Sequence, residues 1–262
     1  MLPVMFTGKK LEISPVRDAY REECECPLCL LMDKAEKGYI GSFLGGAVMV
    51  PEARVEMNRA GFCPDHTRKL FGGDNKLGLA LMTATHIREH ASEMASRRNE
   101  LLERAGEAAG GKTGLTALAR KKSGLSEGVR QYREYIERFV RSCLLCERLG
   151  VTLERYLFTI VYLWQKDEEF AAAFRSSHGF CLPHLSSVLE SASAMLGEKE
   201  LARFLSELLP IQERSFDRLT EELDRYAEHF DYRNTGMAWG SERDAVPRAL
   251  QKLSGGAFGS GS

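Results

Sequence analysis

The sequence predicts an all-α protein made of two homologous helical repeats, about four helices each, packed as one pseudo-two-fold unit. Two observations support this fold class. Apolar residues recur every three or four positions through both halves, which is the period of an amphipathic helix. A pair of cysteine and histidine motifs also occurs twice, and internal repetition of this kind indicates duplicated architecture. Sustained two-residue alternation and Asn-Gly hairpin turns, the marks of strands, are absent from the sequence.

The second half of the chain shows the helical pattern most clearly. One predicted helix has an apolar face formed by Leu145, Leu149, Leu153, Leu157, Ile160 and Trp164. The stretch DEEFAAAFRSS at 167–177 predicts a short second helix, and a third begins near Cys181. A long fourth helix follows from about residue 198, and we expect Pro210 to kink or break it.

The first half has the same plan, with a long helix from about 75 to 105. Glycine-rich, polar residues at 106–125 predict a linker, and a helix from about 126 to 142 precedes the second motif set. The predicted division is therefore an N-terminal repeat at 1–105, that linker, a C-terminal repeat at 126–235, and an arm with a flexible tail at 236–262.

The repeated motifs are a CxxC pair followed by a GFCxxH segment. CPLC at 26–29 is followed after 33 residues by CPDH at 63–66, and CLLC at 143–146 is followed after 34 residues by CLPH at 181–184. A shift of 117 residues aligns the two CxxC pairs, and one inserted residue then aligns the two GFC segments. Two unrelated segments rarely share both motif type and spacing, so the pattern indicates an internal duplication.

Each repeat offers three thiols and one imidazole, which is a complete ligand set for tetrahedral Zn²⁺. The eight predicted metal ligands are Cys26, Cys29, Cys63, His66, Cys143, Cys146, Cys181 and His184. We favour one site within each repeat; the alternative exchanges the pairs, so that the CxxC of one repeat meets the CxxH of the other. Cys24 and His178 have no counterpart in the other repeat and are left out of the ligand set.

Proline positions indicate where these ligand pairs lie. Pro27, Pro64 and Pro183 fall inside the pairs, and proline is favoured in the first turn of a helix. Helix N-termini carry free N–H groups and a positive dipole end, which stabilise thiolates. We therefore expect the ligand pairs at helix starts.

Two function classes follow from this ligand set. The first is a non-enzymatic scaffold or interaction protein that carries two structural zinc ions per chain. The second is an electron-transfer protein that uses the same residues to bind iron–sulfur clusters, although four cysteines are the usual ligands there. Two further interpretations of the cysteine motifs are thiol–disulfide chemistry and inert buried cysteines. His86 and His90, four residues apart in HIREH, are interpreted as partly packed or solvated histidines.

Composition limits the partners and the location that we expect. The formal net charge is −1, so no overall basic field attracts nucleic acid. No run of eighteen apolar residues predicts a membrane span, and the first residues do not have the pattern of a signal peptide. We expect a cytoplasmic protein, reduced thiols and an unidentified protein partner.

These residues also suggest a family. VRDAYREECECPLC, the duplicated CxxC and GFCxxH pairs, and DYRN followed by GSERDAVPRALQKL resemble an uncharacterised bacterial family of the domain-of-unknown-function kind. The resemblance covers nearly the whole chain. It implies a duplicated helical protein with Cys/His metal-type motifs. Cys24, beside the first CxxC, departs from the simplest pattern of that family.

Overall fold

The computed structural model describes residues 11–109, 115–234 and 236–256. Within these ranges the chain forms helices and no strands, which confirms the all-α prediction. The α-helices are α1 (Ile13–Ala19), α2 (Pro27–Leu44), α3 (Pro51–Ala60), α4 (Pro64–Gly72), α5 (Lys76–Ala109), α6 (Leu115–Arg141), α7 (Leu144–Lys166), α8 (Glu168–Ser176), α9 (Leu182–Met195), α10 (Glu198–Glu228) and α11 (Ala245–Ser254). Short 3-10 helices occupy Gly46–Met49, Tyr232–Asn234 and Ser241–Asp244.

The chain folds into two compact units. The terminal unit combines residues 1–36 with 149–262, and the central unit comprises residues 37–148. Both predicted halves, 1–105 and 126–235, therefore contribute residues to both units.

The core of the terminal unit is built on aromatic side chains. Trp164 of α7, Phe174 of α8 and Phe204 of α10 are almost fully buried. The Trp164 and Phe204 ring centroids lie 4.9 Å apart, edge to face, and those of Phe174 and Phe204 lie 5.5 Å apart. Burying a large apolar side chain stabilises a fold by roughly 1.5–3 kcal/mol, so these three rings contribute much to holding α7, α8 and α10 together.

Helix α10 runs from Glu198 to Glu228 without a break at Pro210, so of the two predicted outcomes, a kink or a break, the break is wrong. Proline removes one backbone hydrogen bond and crowds the preceding turn. In α10 this cost is offset by apolar burial on either side, because Leu208 and Ile211 both lie in the core of the terminal unit.

The core of the central unit is smaller. Met57, Leu70, Met82 and Leu145 are buried there, and they bring together α3, α4, α5 and the first turn of α7. The length of α5 agrees with the helix predicted for 75–105.

Helix α6 begins at Leu115, well before the predicted start at 126, so much of the predicted linker at 106–125 is helical. Just after this segment, Gly128 allows close packing within the helix pair α5 and α6, because an added Cβ would lie 2.9 Å from Cδ of Arg104. Arg104 also donates to the Gly124 carbonyl at 3.3 Å. Residues 110–114 of the predicted linker lie outside the described residues.

The C-terminal arm packs on the terminal unit through α11, which contacts α9 and α10. The predicted flexible tail lies largely outside the described residues, from 257 onward. Within the described ranges, no helix combines the length and the hydrophobicity that a membrane crossing requires.

Candidate metal centres

Each of the four ligand pairs lies at the N-terminus of a helix, as predicted. Cys26, Cys63, Cys143 and Cys181 immediately precede α2, α4, α7 and α9. The backbone carbonyl of each accepts the hydrogen bond that starts the helix, with N···O distances of 2.8 to 3.3 Å. The second residue of each pair lies three positions later, in the first turn. Side chains at these two positions point the same way, as in a capping box, and therefore converge on one ion.

Three thiols and one imidazole meet in the terminal unit. This group, the Cys26 site, consists of Cys26, Cys29, Cys181 and His184. His184 Nδ1 lies 3.4 Å from Cys26 Sγ, 3.5 Å from Cys29 Sγ and 3.2 Å from Cys181 Sγ. The two sulfurs of Cys29 and Cys181 are 3.6 Å apart. The site joins the start of α2 to the start of α9.

An equivalent group lies in the central unit. This Cys63 site consists of Cys63, His66, Cys143 and Cys146. His66 Nδ1 lies 3.2 Å from Cys63 Sγ, 3.2 Å from Cys143 Sγ and 3.4 Å from Cys146 Sγ. The sulfurs of Cys63 and Cys146 are 3.9 Å apart. Here the start of α4 meets the start of α7.

The favoured pairing of ligands within each repeat is therefore wrong, and the exchanged alternative describes the structure. The eight predicted ligands fall into these two groups, but each group takes its CxxC from one repeat and its CxxH from the other. Motif spacing fixes only which residues share a helical turn. Which two turns meet depends on how the helices pack, and each ligand set is completed inside one compact unit.

The donor spacing fits a single tetrahedral ion. Bond lengths of about 2.3 Å to sulfur and about 2.0–2.1 Å to nitrogen give tetrahedral edges of roughly 3.8 Å between sulfurs and roughly 3.6 Å between sulfur and nitrogen. Sulfur pairs at 3.6 and 3.9 Å, and sulfur–nitrogen pairs at 3.2 to 3.5 Å, lie close to these values. Disulfide sulfurs would lie only about 2.05 Å apart.

Electrostatics at the Cys26 site couples the thiols to the imidazole. The pKa of Cys181 is strongly lowered, because its sulfur accepts hydrogen bonds from Cys26 and Cys29. Burial works against protonation of His184, yet hydrogen bonds to Cys181 and Cys29 raise its pKa to about 9. Burial raises the pKa of Cys26 well above its usual value. Three buried thiols this close together can all be ionised only if a cation binds between them.

The Cys63 site is more accessible to solvent. As at the Cys26 site, one thiol has a lowered pKa and another a raised pKa. Burial opposes ionisation of Cys63, but the backbone N–H of His66 and the neighbouring thiols lower its pKa. The pKa of Cys146 is raised to about 12 by burial and by its neighbour Cys143. Thus in each site the thiol at the start of the CxxH helix, Cys63 or Cys181, has a lowered pKa.

The turn before Cys181 is held by Gln212 of α10. The Phe180 backbone N–H donates to Gln212 Oε1 at 3.1 Å, and Gln212 Nε2 donates back to the Phe180 carbonyl at 2.6 Å. Gly179 has φ of +73°, and a Cβ there would lie 2.6 Å from Gln212 Oε1. The glycine of the GFC motif is thus needed for the turn, and Gln212 was missed because its partners are backbone groups far away in sequence.

Lys252 of α11 is a second group that the sequence did not reveal. It is completely buried, and its Nζ donates to the backbone carbonyls of Glu25 and His178. These carbonyls lie in the two segments that lead into Cys26 and Cys181. A zinc ion with three thiolates carries a net charge of −1, so the position of Lys252 also suits charge compensation.

In the central unit the corresponding turn is tied directly to α7. The Leu144 backbone N–H, which has no partner within its own helix, donates to the Gly61 carbonyl at 3.0 Å. Gly61 has φ of +60°, and an added Cβ would lie 2.6 Å from His86 Nε2. This hydrogen bond fixes the CxxH turn against the start of the CLLC helix.

A buried network of ions adjoins the Cys26 site. Arg218 Nη2 donates to both carboxylate oxygens of Glu25, at 2.6 and 2.7 Å. Arg248 Nη1 donates to Glu222 Oε2 at 2.6 Å, and it also reaches Glu25 at 3.2 Å. Glu25 and Glu222 are both buried, so these ion pairs replace the contacts with water that the two carboxylates lose. In the sequence, only the spacing of four residues between Arg218 and Glu222 indicates an ion pair of this network.

Cys24 and His178 belong to neither ligand group, in keeping with their exclusion at the sequence level. Both line a cavity of about 460 Å³ together with the ion network. Burial raises the pKa of Cys24 to about 11, so this thiol is a poor ligand and a poor nucleophile at neutral pH.

Comparisons with known proteins agree with the resemblance noted above. The model of a protein family described as "Family of unknown function (DUF6062)" matches residues 8–259. The chain belongs to this family. One curated relative of this DUF6062 chain is the uncharacterized 23.9 kDa protein in the xynA 3′ region of Caldicellulosiruptor sp. (strain Rt8B.4). It is 24% identical over 213 residues, which cover 81% of this chain and 86% of the relative. No solved structure matches the DUF6062 chain.

Proposed function

We propose that the protein binds two structural zinc ions, one at each Cys₃His site, and acts as a non-enzymatic scaffold or interaction protein. The observation that carries this proposal is the convergence of four donor atoms at tetrahedral spacing in both units. Structural zinc sites are closed by four protein ligands, whereas catalytic sites keep a position for water or substrate. Four donors in each group therefore favour a structural role.

Donor spacing also favours one ion over an iron–sulfur cluster. In each group all ligand atoms lie within 4.8 Å of one another. That is about twice a single metal–sulfur bond of roughly 2.3 Å, so one ion fills the space. In a cluster the cysteines bind different iron atoms joined by sulfide, and they must lie farther apart.

We further propose that the chain arose by duplication and that its repeats are related by a pseudo-two-fold axis. The helices correspond in order, α2 with α7, α3 with α8, α4 with α9 and α5 with α10. Both GFC turns use a glycine with positive φ, at Gly61 and Gly179. Reciprocal exchange of the CxxC and CxxH pairs is what a two-fold arrangement of such repeats would produce.

A cytoplasmic location and a protein partner complete the proposal. None of the seven cysteines forms a disulfide, which suits a reducing compartment. In such a protein the zinc ions hold the helix starts together. The exposed helix surfaces then bind the protein partner.

Elemental analysis of anaerobically purified protein, with an absorption spectrum of the same sample, tests the proposal. We expect about two zinc ions per chain and no visible absorption. Iron with acid-labile sulfide and a band in the visible range would refute the zinc proposal and support the alternative, an iron–sulfur electron-transfer protein. Metal-free protein with seven titratable thiols would refute both.

A further inference from the structure

A second kind of site lies beside the Cys63 site, in the central unit. A cavity of about 450 Å³ opens between the first half of α5, the last turn of α6 and the Gly61–Pro64 turn. Its volume falls within the range of roughly 300–1,000 Å³ that is typical of small-molecule pockets.

The walls of this cavity are apolar and uncharged. Apolar lining residues are Met57, Phe62, Pro64, Leu79, Met82, Phe139 and Val140. No lysine, arginine, aspartate or glutamate is among the described residues that line it. An ionic ligand would lose its hydration here without gaining a countercharge, so the cavity favours a neutral molecule.

The side-chain polar groups of the cavity lack a free donor. Thr83 Oγ1 donates to the Leu79 carbonyl at 2.9 Å, and Thr67 Oγ1 donates to the Phe62 carbonyl at 3.3 Å. Each hydroxyl has only one hydrogen, so both threonines have only acceptor capacity left for a ligand.

His86 supplies a further acceptor. Its Nδ1 lies 2.6 Å from the Asn58 carbonyl, and because a carbonyl only accepts, Nδ1 carries the hydrogen. In the neutral ring Nε2 is then the acceptor. The ring is fixed by stacking on Phe139, with centroids 5.0 Å apart and planes at 14°. His90, which donates to the same Asn58 carbonyl at 3.0 Å, packs edge-on against it.

We propose that this cavity binds a small neutral apolar molecule that donates one hydrogen bond, such as an aromatic alcohol. Apolar walls supply the affinity, and His86 Nε2 selects for the donor. The described lining of this cavity includes His86 of the HIREH segment and none of the eight predicted metal ligands.

Fluorescence titration of the zinc-loaded protein with 2-naphthol and with its methyl ether tests the proposal. The two probes share the ring system, but only the alcohol donates. We expect saturable binding of 2-naphthol that is about fivefold tighter than binding of the ether, since one neutral hydrogen bond contributes about that factor. His86→Phe keeps an aromatic ring against Phe139, and we expect it to bind both probes equally.

Thr83→Trp should block the cavity and abolish binding of both probes. Thr220→Trp is the matched control, because Thr220 is also an exposed helical threonine whose hydroxyl donates back to a carbonyl, that of Phe216 at 2.9 Å. It lies in the terminal unit and should leave binding unchanged. Absence of saturable binding to wild type, equal affinity for alcohol and ether, or undiminished binding to Thr83→Trp would each overturn the proposal.

Discussion

Cys29 Sγ lies 3.6 Å from Cys181 Sγ, although 152 residues separate them in the chain. Their contact joins a CxxC pair of the first repeat to a CxxH pair of the second. Each candidate metal site therefore takes residues from both repeats, and neither repeat carries a complete ligand group by itself. Because these contacts join residues far apart in the chain, the ligand groups form only when the whole fold forms.

Replacing Cys181 with serine should remove one of the two zinc ions. Apparent binding energies of structural zinc are on the order of 10–16 kcal/mol. They are comparable with the total stability of a domain, about 5–15 kcal/mol. We expect Cys181→Ser to retain about one zinc per chain and to unfold the terminal unit at a lower temperature. Cys24→Ser, in the same unit but outside both sites, should keep two. Metal analysis and thermal unfolding check this; two bound zinc ions and an unchanged melting temperature in Cys181→Ser would count against it.

Zinc should leave the two sites at different rates. Cys26, Cys29 and Cys181 are buried, whereas Cys146 is exposed and Cys63 is partly so. A chelator should therefore take zinc from the Cys63 site first, giving two kinetic phases of equal amplitude in a colorimetric assay. Cys181→Ser should abolish the slow phase, and Cys146→Ser the fast phase. A single phase in wild type, or the opposite assignment, is incompatible with this burial.

Glycine at 179 should be far more important than glycine at 150. Alanine at Gly179 would have to adopt φ of +73° and would press on Gln212. The left-handed backbone alone costs about 1–2 kcal/mol, so we expect Gly179→Ala to lose about 2 kcal/mol or more in urea unfolding. Gly150 lies within α7 with open space around it. There alanine should stabilise the protein by about 0.5–1 kcal/mol. Equal effects of the two substitutions would contradict the role given to the turn.

Substitution of Arg218 should destabilise the protein far more than substitution of a surface arginine. Arg218→Met leaves the buried carboxylate of Glu25 with a single arginine partner, Arg248. Removing one partner of a buried ion pair costs about 3–5 kcal/mol. Arg233→Met is the matched control, since Arg233 pairs with Asp231 on the surface and its side chain is 72% exposed. That change should cost under about 1 kcal/mol. Similar unfolding free energies for both variants would show that the network is not important for stability.

Local features of the fold could be predicted from the sequence because they depend on neighbouring residues. Apolar spacing located α7 and α10, and proline within CPLC, CPDH and CLPH located helix starts. The start of α6 was misplaced, since glycines at 124 and 128 indicate a linker in sequence, yet both lie within α6, where Gly128 packs closely against Arg104.

Features that depend on distant residues could not be predicted. The eight predicted ligands follow from motif type, but their pairing depends on which helix starts meet, namely those of α2 and α9 and those of α4 and α7. Gln212 and Lys252 were missed for a related reason, because both act on backbone carbonyls or amides of remote turns. No local sequence signal marks such contacts.

The exchanged pairing is tested most directly by zinc content in two double variants. Cys29→Ser/Cys181→Ser removes two ligands of one site, whereas Cys29→Ser/Cys63→Ser removes one ligand from each site. The account predicts about one zinc per chain in the first variant and none in the second. The reverse result, none in the first and about one in the second, would show that each repeat holds its own ion.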